Sequence, residues 1–491
     1  MLKRNSNTSS KANKGKVFVG LSGGVDSAVS AGLLKEAGFD VTGVFIKAWQ
    51  ADFLPCNWRE ERRDAMKVAI ALDIPFLSLD LGEEYKRGVV DKIIEEYKVG
   101  RTPNPDVLCN REVKFGVFWK KAKELGADYI ATGHYAQISE EEKEDSDELA
   151  LSAKGQRGIL ATNTNSSELL EGVDGLLLST KGQGGKLATD TNSSGLLESG
   201  DELVLSSEGQ GGKLVTDNNS FELLEGENNY NVQKSTEVSQ ARDLPSSRAD
   251  ALRDAFPKHY NYSLKEGGDK SKDQSYFLWT LTQDDLAHTL FPVGHLEKSE
   301  VRKLAEKFGL PVAEKKDSQG ICFLGDISMD EFLSHFIETK KGDVLNISGE
   351  VIGTHDGALY YTIGERRGFD ITKKDALSGA FYVVSKDMKA NTITVSNVEK
   401  EINDLAPKKV LLRDVNWINK PQAHKPLWAK IRHGGEKIGV VILENTDGIW
   451  EVEFNEPVRG LSLGQSIVFY QGEECLGGAI MDKEVIISKH E

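Results

Sequence analysis

Two hydrophobic periods alternate along the first third of the chain. The run Val17-Phe18-Val19 between Lys16 and Gly20 predicts a strand buried on both faces, over Val17–Leu21. A helical stretch over Ser27–Ala37, closed by Gly38, leads to a second apolar run at Val41–Ile46. Helix is predicted again over Arg59–Leu72, Glu83–Tyr97 and Glu112–Leu125, with strands at Pro75–Leu81 and Asp128–Thr132, the latter running into Gly133-His134. Strands alternating with helices define an α/β domain around a parallel sheet. Beyond about Lys340 the pattern shortens to strands between Gly and Asn turns, as at Gly349–Gly353, Thr392–Ser396 and Gln465–Tyr470. That end of the chain is expected to be all-β.

Between Ser139 and Lys258 the pattern changes and a unit recurs. Lys154-Gly-Gln-Arg-Gly158, Lys181-Gly-Gln-Gly-Gly185 and Glu208-Gly-Gln-Gly-Gly212 are 27 residues apart, each followed by an Asn/Ser-rich turn and Leu-Leu-Glu at 169–171, 196–198 and 223–225. Short apolar runs between these turns predict weak β-hairpins in preference to disorder. The acidic run Glu140–Glu148 ahead of them is a solvated linker. The return segment Leu264–Asp269 resembles Leu169–Asp174, which points to duplication of a hairpin strand as the origin of the repeats.

Composition sharpens this division. The 491 residues, 39% hydrophobic and 28% charged, suit roughly three globular domains. The net charge of −16 argues against a nucleic-acid partner at first sight. Residues 140–260, however, hold 23 acidic and 11 basic residues, so −12 belongs there and only −4 to the remainder, which leaves room for a local basic RNA surface. No apolar run approaches the ~20 residues of a membrane span, residues 1–15 read as a flexible tail rather than a targeting segment, and four scattered cysteines build no disulfide framework. The expected setting is cytoplasmic.

The chemistry begins directly after the first strand. Gly20-Leu21-Ser22-Gly23-Gly24-Val25-Asp26-Ser27 opens a helix, so small residues let backbone amides close around a phosphate while Ser22 and Ser27 add hydroxyls. The segment has neither the lysine of a Walker loop nor the spacing of a dinucleotide fold. Asp26 is either an N-cap or a group that approaches a nucleotide-bound Mg2+. The loop Thr102–Asn110, with Pro103 and Pro105, delivers Cys109 to what reads as a helix start, where a thiol pKa is lowered. A second loop cysteine, Cys322, follows Asp317-Ser-Gln-Gly320-Ile. Two loop cysteines are what a sulfur relay needs, one carrying a persulfide and the other resolving it. Cys475 reads as a core strand residue, and Cys56 has no role derivable from its surroundings.

Six ordered motifs together resemble the tRNA-specific 2-thiouridylase family, within the pyrophosphate-loop ATP pyrophosphatases: Gly20–Ser27, Asn104–Asn110, Ala131–Ala136, Lys272–Leu278, Ser318–Phe323 and Tyr361–Gly368. The resemblance spans everything from Lys16 to the C-terminus except the repeats. It implies a parallel-sheet pyrophosphate-loop (adenine nucleotide α-hydrolase-like) domain over 16–138 and 260–330, interrupted by the insert at 139–259. A small central β-rich, tRNA-binding domain follows over 331–405, then a C-terminal β-barrel over 406–491. It also implies ATP-dependent replacement of oxygen by sulfur at carbon 2 of the wobble uridine in tRNA, with a persulfide donor protein as partner, Mg2+ accompanying ATP, and neither DNA nor membrane involved.

By the same resemblance Gly20, Leu21, Ser22, Gly23, Gly24, Val25, Asp26, Ser27, Ile46 and Gly133 bind ATP, and no protein-held metal is implied. Asn104, Pro105 and Asp106 meet the target base, Asp106 as acid, base or orienting group. Cys109 is the nucleophile and Cys322 the persulfide carrier, the two able to form a transient disulfide. His134, Lys272, Asp273, Gln274, Arg432, His433 and Gln465 fall where the family touches tRNA. The sequence departs from the family pattern at Glu365, where Gln is usual, and at Leu463, where Pro is usual; both departures are expected to be neutral. The competing reading, a scaffold with a degenerate enzyme core and a partner-recruiting insert, is disfavoured by the intact cysteines and loop.

Overall fold

The computed structural model describes residues 14–54, 58–142, 260–316, 327–372, 379–444 and 448–485, and between 143 and 259 the backbone of eight strands. Cys56 and Cys322 lie outside the described residues.

Four strands built early in the chain, β1 (Lys16–Gly20), β2 (Asp40–Lys47), β3 (Phe76–Asp80) and β4 (Tyr129–Ala131), join Thr289–Leu290 in one parallel sheet. The order runs Thr289–Leu290, β4, β1, β2, β3. Val17, Phe18 and Val19 are buried on both faces, as the unbroken apolar run requires. Helix α1 (Val25–Ala37) returns over the sheet and ends where Gly38, at φ +96°, donates its N–H to the Leu34 and Lys35 carbonyls. Strand order reverses between β1 and β4, so the crevice beyond their C-terminal ends is the place where such sheets bind ligands.

The expected helix at Glu112 begins seven residues sooner. Asn104 accepts hydrogen bonds from the Asp106 and Val107 amides and Pro105 takes the first helical position, so a helical segment starts at Pro105 and continues through a π-helical stretch, Cys109–Val117, into Phe118–Glu124. The double-proline loop was therefore a cap with its N1 proline.

A central sheet of five strands, ordered Phe369–Ile371, Val351–His355, Gly342–Leu345, Thr392–Ser396 and Tyr382–Asp387, packs around Val344, Ile352, Ile393 and Val395. The C-terminal strands Lys409–Trp417, Trp450–Phe454, Ile438–Glu444, Trp428–Lys430, Ser466–Gln471 and Glu474–Val485 close into a barrel, since the first and last also pair with each other. Among the described residues, a 3-10 turn at Ala358–Tyr360 and an α-helix at Glu399–Asp404 interrupt the all-β region. The strands flanking the insert, Ala136–Glu142 and Tyr260–Glu266, are neighbours and extend the barrel's sheet through pairs such as Leu264 with Cys475.

Residues Glu141–Asn261 form a compact unit of their own. Its described strands make two antiparallel sheets of four, Leu169–Glu171 to Leu196–Glu198 and Glu202–Ser207 to Asn231–Gln233. The strands Lys186–Thr189 and Gln210–Thr216 occupy equivalent places in the second and third repeats, 27 residues apart, whereas the Lys154–Gly158 unit of the first lies outside the described residues.

Glu365 accepts from the Thr362 amide at 3.0 Å, as a glutamine oxygen would. Burial raises its pKa despite that bond and the nearby Lys386, so protonation favours the folded state: the benefit is complete below about pH 4 and lost as pH rises through the raised value. Glu365→Gln should flatten this dependence and leave the protein at neutral pH as stable as the wild type or better, by up to about 1 kcal/mol. Melting temperatures of the two proteins at pH 5 and 7.5 check it.

Candidate active site

The segment after β1 turns sharply into α1. Gly23, at φ +74°, leaves no room for a side chain, because a Cβ would lie 2.7 Å from the Glu61 carbonyl oxygen. Ser22 and Ser27 hydroxyls are 3.3 Å apart, and Ser27 Oγ donates to the Gly24 carbonyl at 3.2 Å. The N-cap is Gly24, which offers no side-chain acceptor to the first-turn amides. Those amides and the positive end of a 13-residue helix therefore face the crevice, a fitting seat for a phosphate chain. Gly133, beyond β4, closes the other side; a Cβ there would stand 2.7 Å from the Ser27 nitrogen. Ile46 is half-buried at the end of β2, and a cavity of about 590 Å3 opens just past it between Lys47, Trp49, Trp58 and Asp80.

Asp26 is not the N-cap; it is the second residue of α1. Both its oxygens accept from Lys298 Nζ, at 2.8 and 2.9 Å, and the Tyr135 hydroxyl donates to Oδ1 at 2.7 Å. Lys298 thus brings to the loop the cation that its sequence lacks. No local signal announced it: the residue opens a helix 272 positions later. Among the described residues no group of three His, Cys, Asp or Glu side chains is arranged to hold a metal.

Cys109 sits five residues into the helical segment rather than at its start, and it is only 7% exposed. The expected lowering of its thiol pKa is reversed. Burial pushes it up, Asp106 adds to the rise, and Lys114 and a hydrogen bond from Tyr85 oppose it. Lys114 follows Cys109 by five residues, one hydrogen-bonded step of a π-helix. Gly116 makes that winding possible, because a Cβ would lie 2.7 Å from the Arg111 carbonyl oxygen. Asp106 is solvent-accessible, yet the protein crowded around its carboxyl raises its pKa, against the pull of Lys114 and His433.

His134 is 8% exposed, wedged between Phe115 and Phe291, with Nδ1 2.7 Å from the Thr132 hydroxyl. Burial and Lys114 hold its pKa far below the usual imidazole range, so it is neutral and forms the wall of the site rather than an RNA-facing surface. Lys114 therefore acts on His134, Cys109 and Asp106 alike.

Among the other residues expected at tRNA, Asp273 is buried. Its carboxylate accepts from the Gly267 and Ser275 amides and from Lys430, which also bridges to Glu266 at 2.9 Å. Gln274 is turned inward too, accepting from the Tyr135 amide at 3.0 Å. Lys272 is half-buried, and Arg432 and His433 are exposed on the barrel. The His433 ring lies 4.5 Å from that of Phe277, close enough to Asp106 to feel its charge. Cys475 is a core residue, fully buried, its thiol pushed up to about 12. Lys315 pairs with Asp64 at 2.9 Å, and Asp64 in turn borders the pyrophosphate loop, its Cβ 3.3 Å from where a side chain at Gly23 would begin.

A doubly wound nucleotide fold with a glycine-serine loop at its switch point, a small β domain and a closed barrel define a HUP-domain enzyme. Residues 15–160 and 250–326 match the tRNA methyl transferase HUP domain, 330–397 the tRNA methyl transferase PRC-barrel domain and 407–481 the aminomethyltransferase beta-barrel domain. The tRNA-specific 2-thiouridylase MnmA 2 of Geobacillus kaustophilus is 33% identical over 95% of both chains, and the tRNA-specific 2-thiouridylase MnmA of Listeria welshimeri is 34% identical over 95% of this chain and 94% of its own. The chain belongs to the tRNA-specific 2-thiouridylase family.

Proposed function

We propose that the protein is an ATP-dependent sulfurtransferase acting on carbon 2 of the wobble uridine of tRNA in the cytoplasm. The observation that carries this reading is the shared neighbourhood of two chemistries. Gly133 packs on the pyrophosphate loop, His134 beside it feels Lys114, and Lys114 in turn bears on Cys109 and Asp106. These contacts support a reading in which nucleotide chemistry and cysteine chemistry share one site.

In this reading Gly20–Ser27, Ile46 and Gly133 hold ATP, and Mg2+ accompanies the nucleotide on its phosphates. Asn104, Pro105 and Asp106 meet the base, splayed from the single-stranded anticodon loop. Asp106, its pKa raised by burial against the pull of Lys114 and His433, serves beside the base as acid, base or orienting group. A uracil carbonyl is a poor electrophile, so its oxygen is first joined to AMP. The outer sulfur of a persulfide on Cys322, supplied by a donor protein, then attacks carbon 2 and AMP departs. Cys109 breaks the remaining sulfur–sulfur bond, which leaves 2-thiouridine and a Cys109–Cys322 disulfide that a thiol reductant must reopen. Lys272, Arg432 and His433 supply the RNA-facing surface.

Mass spectrometry of tRNA nucleosides after incubation with ATP, Mg2+ and a persulfide donor tests the reading. Wild type should form 2-thiouridine and Cys322→Ser should form none; absence with wild type, or persistence in the variant, refutes it.

A further inference from the structure

The short segment Thr102–Pro103, immediately before the Asn104 cap, is held from two sides. It is itself part of the α/β domain, and both residues are buried. From the barrel, the Leu463 carbonyl accepts the Thr102 N–H at 2.9 Å, and Gln465 Nε2 donates to the Thr102 carbonyl at 2.9 Å and the Pro103 carbonyl at 3.4 Å. From the central domain, the Thr362 hydroxyl lies 3.2 Å from that of Thr102. Gly464, at φ +90°, permits the approach, because a Cβ there would stand 2.9 Å from the Thr102 nitrogen. Gln465 is itself fixed, since its carbonyl accepts from Met481 N–H at 2.9 Å.

Downstream the chain has no slack. Asn104 caps the helical segment, and Asp106 and Cys109 follow within its first five residues. Thr102–Pro103 therefore leads directly into the turn that carries both groups.

We infer that Gln465 and Thr362 are positioning residues for the reaction centre: the barrel and the central domain clamp Thr102–Pro103 and so set where Cys109 and Asp106 stand. The inference rests on the sulfurtransferase reading for its kinetic arm only. It gives Gln465 a task directed at the protein's own chain in place of tRNA. The departure at Leu463 is accounted for as well, because the group used there is a carbonyl that proline also has.

Gln465→Glu keeps the shape and turns a donor into an acceptor facing two carbonyls; Thr362→Val keeps the shape and removes the hydroxyl, which Thr362→Ser restores. A displacement of about 1 Å costs on the order of 100-fold in rate. Gln465→Glu is expected to lower kcat for thiolation by about 10- to 100-fold with KM for tRNA within about twofold of wild type. Thr362→Val should fall less, and Thr362→Ser should recover. Without any substrate, iodoacetamide should label Cys109 several-fold faster in Gln465→Glu, as peptide mass spectrometry reads, while labelling of the barrel's buried Cys475 stays at the wild-type rate. A raised KM for tRNA with kcat unchanged would make Gln465 an RNA contact and overturn the clamp. Equal acceleration at Cys475 would reveal general loosening, and unchanged Cys109 labelling would mean the segment needs no clamp; either also overturns it. If wild type forms no 2-thiouridine, the functional reading fails, while the ratio of Cys109 to Cys475 labelling still decides the clamp.

Discussion

Replacing Cys109 with serine is expected to lower 2-thiouridine formation by at least about 1,000-fold while tRNA binding stays within about twofold of wild type. The substitution is nearly isosteric at a site 7% exposed, so folding and the base pocket should persist. What disappears is a group able to break a sulfur–sulfur bond, and losses of this size follow removal of a nucleophile that acts as part of a unit. Single-turnover thiolation and filter binding of tRNA separate the two effects. The wild-type thiol carries its own signature. Burial and Asp106 raise its pKa, with Lys114 and Tyr85 only partly offsetting them, so its alkylation rate should keep climbing above about pH 8.5, where an exposed cysteine levels off.

Alanine at Gly133 should be almost as damaging, by a different route. The added carbon would meet Ser27 N at 2.7 Å, the Asp26 carbonyl carbon at 2.8 Å and Asp26 Cβ at 2.9 Å, all in the first turn of α1. None is the free end of a flexible side chain, so the pyrophosphate loop itself has to move. Overpacking of this kind costs about 1–3 kcal/mol. Because the displaced amides are those that face the phosphates, KM for ATP should rise at least about tenfold, with a lower melting temperature and with KM for tRNA little changed. Steady-state kinetics with each substrate varied in turn, together with thermal unfolding, checks this. An unaltered KM for ATP would remove Gly133 from the nucleotide seat.

The parts of this molecule that could be read in advance are those governed by local rules. Val17-Phe18-Val19 had to be a doubly buried strand, Gly38 had to end a helix, and a Ser-Gly-Gly turn between the two had to leave amides free. The 27-residue repeat likewise declared its hairpins. Errors arose where one residue type serves two purposes. Pro103 and Pro105 read as loop-formers, yet Pro105 begins a helix once Asn104 caps it, and that moved Cys109 from a helix end, where thiols are acidic, into a buried turn, where they are not. The resemblance put Asp273 at the tRNA, but its carboxylate is buried, and its half-buried partner Lys430 lies 157 residues away. Lys298 and the clamp on Thr102–Pro103 were invisible for the same reason: each joins groups more than 250 residues apart, and no period or cap records such a meeting.

The two strands that bracket the insert, Ala136–Glu142 and Tyr260–Glu266, run side by side in the barrel's sheet. Adjacent strands are about 4.8 Å apart, so the chain departs and comes back through an opening no wider than a hairpin turn. To the enzyme, a graft of over a hundred residues is topologically a loop, and what it adds to the cost of closing that loop grows only with the logarithm of its length. The same doorway would accept new termini in a circular permutation or an unrelated cargo domain, provided the strand pair is preserved.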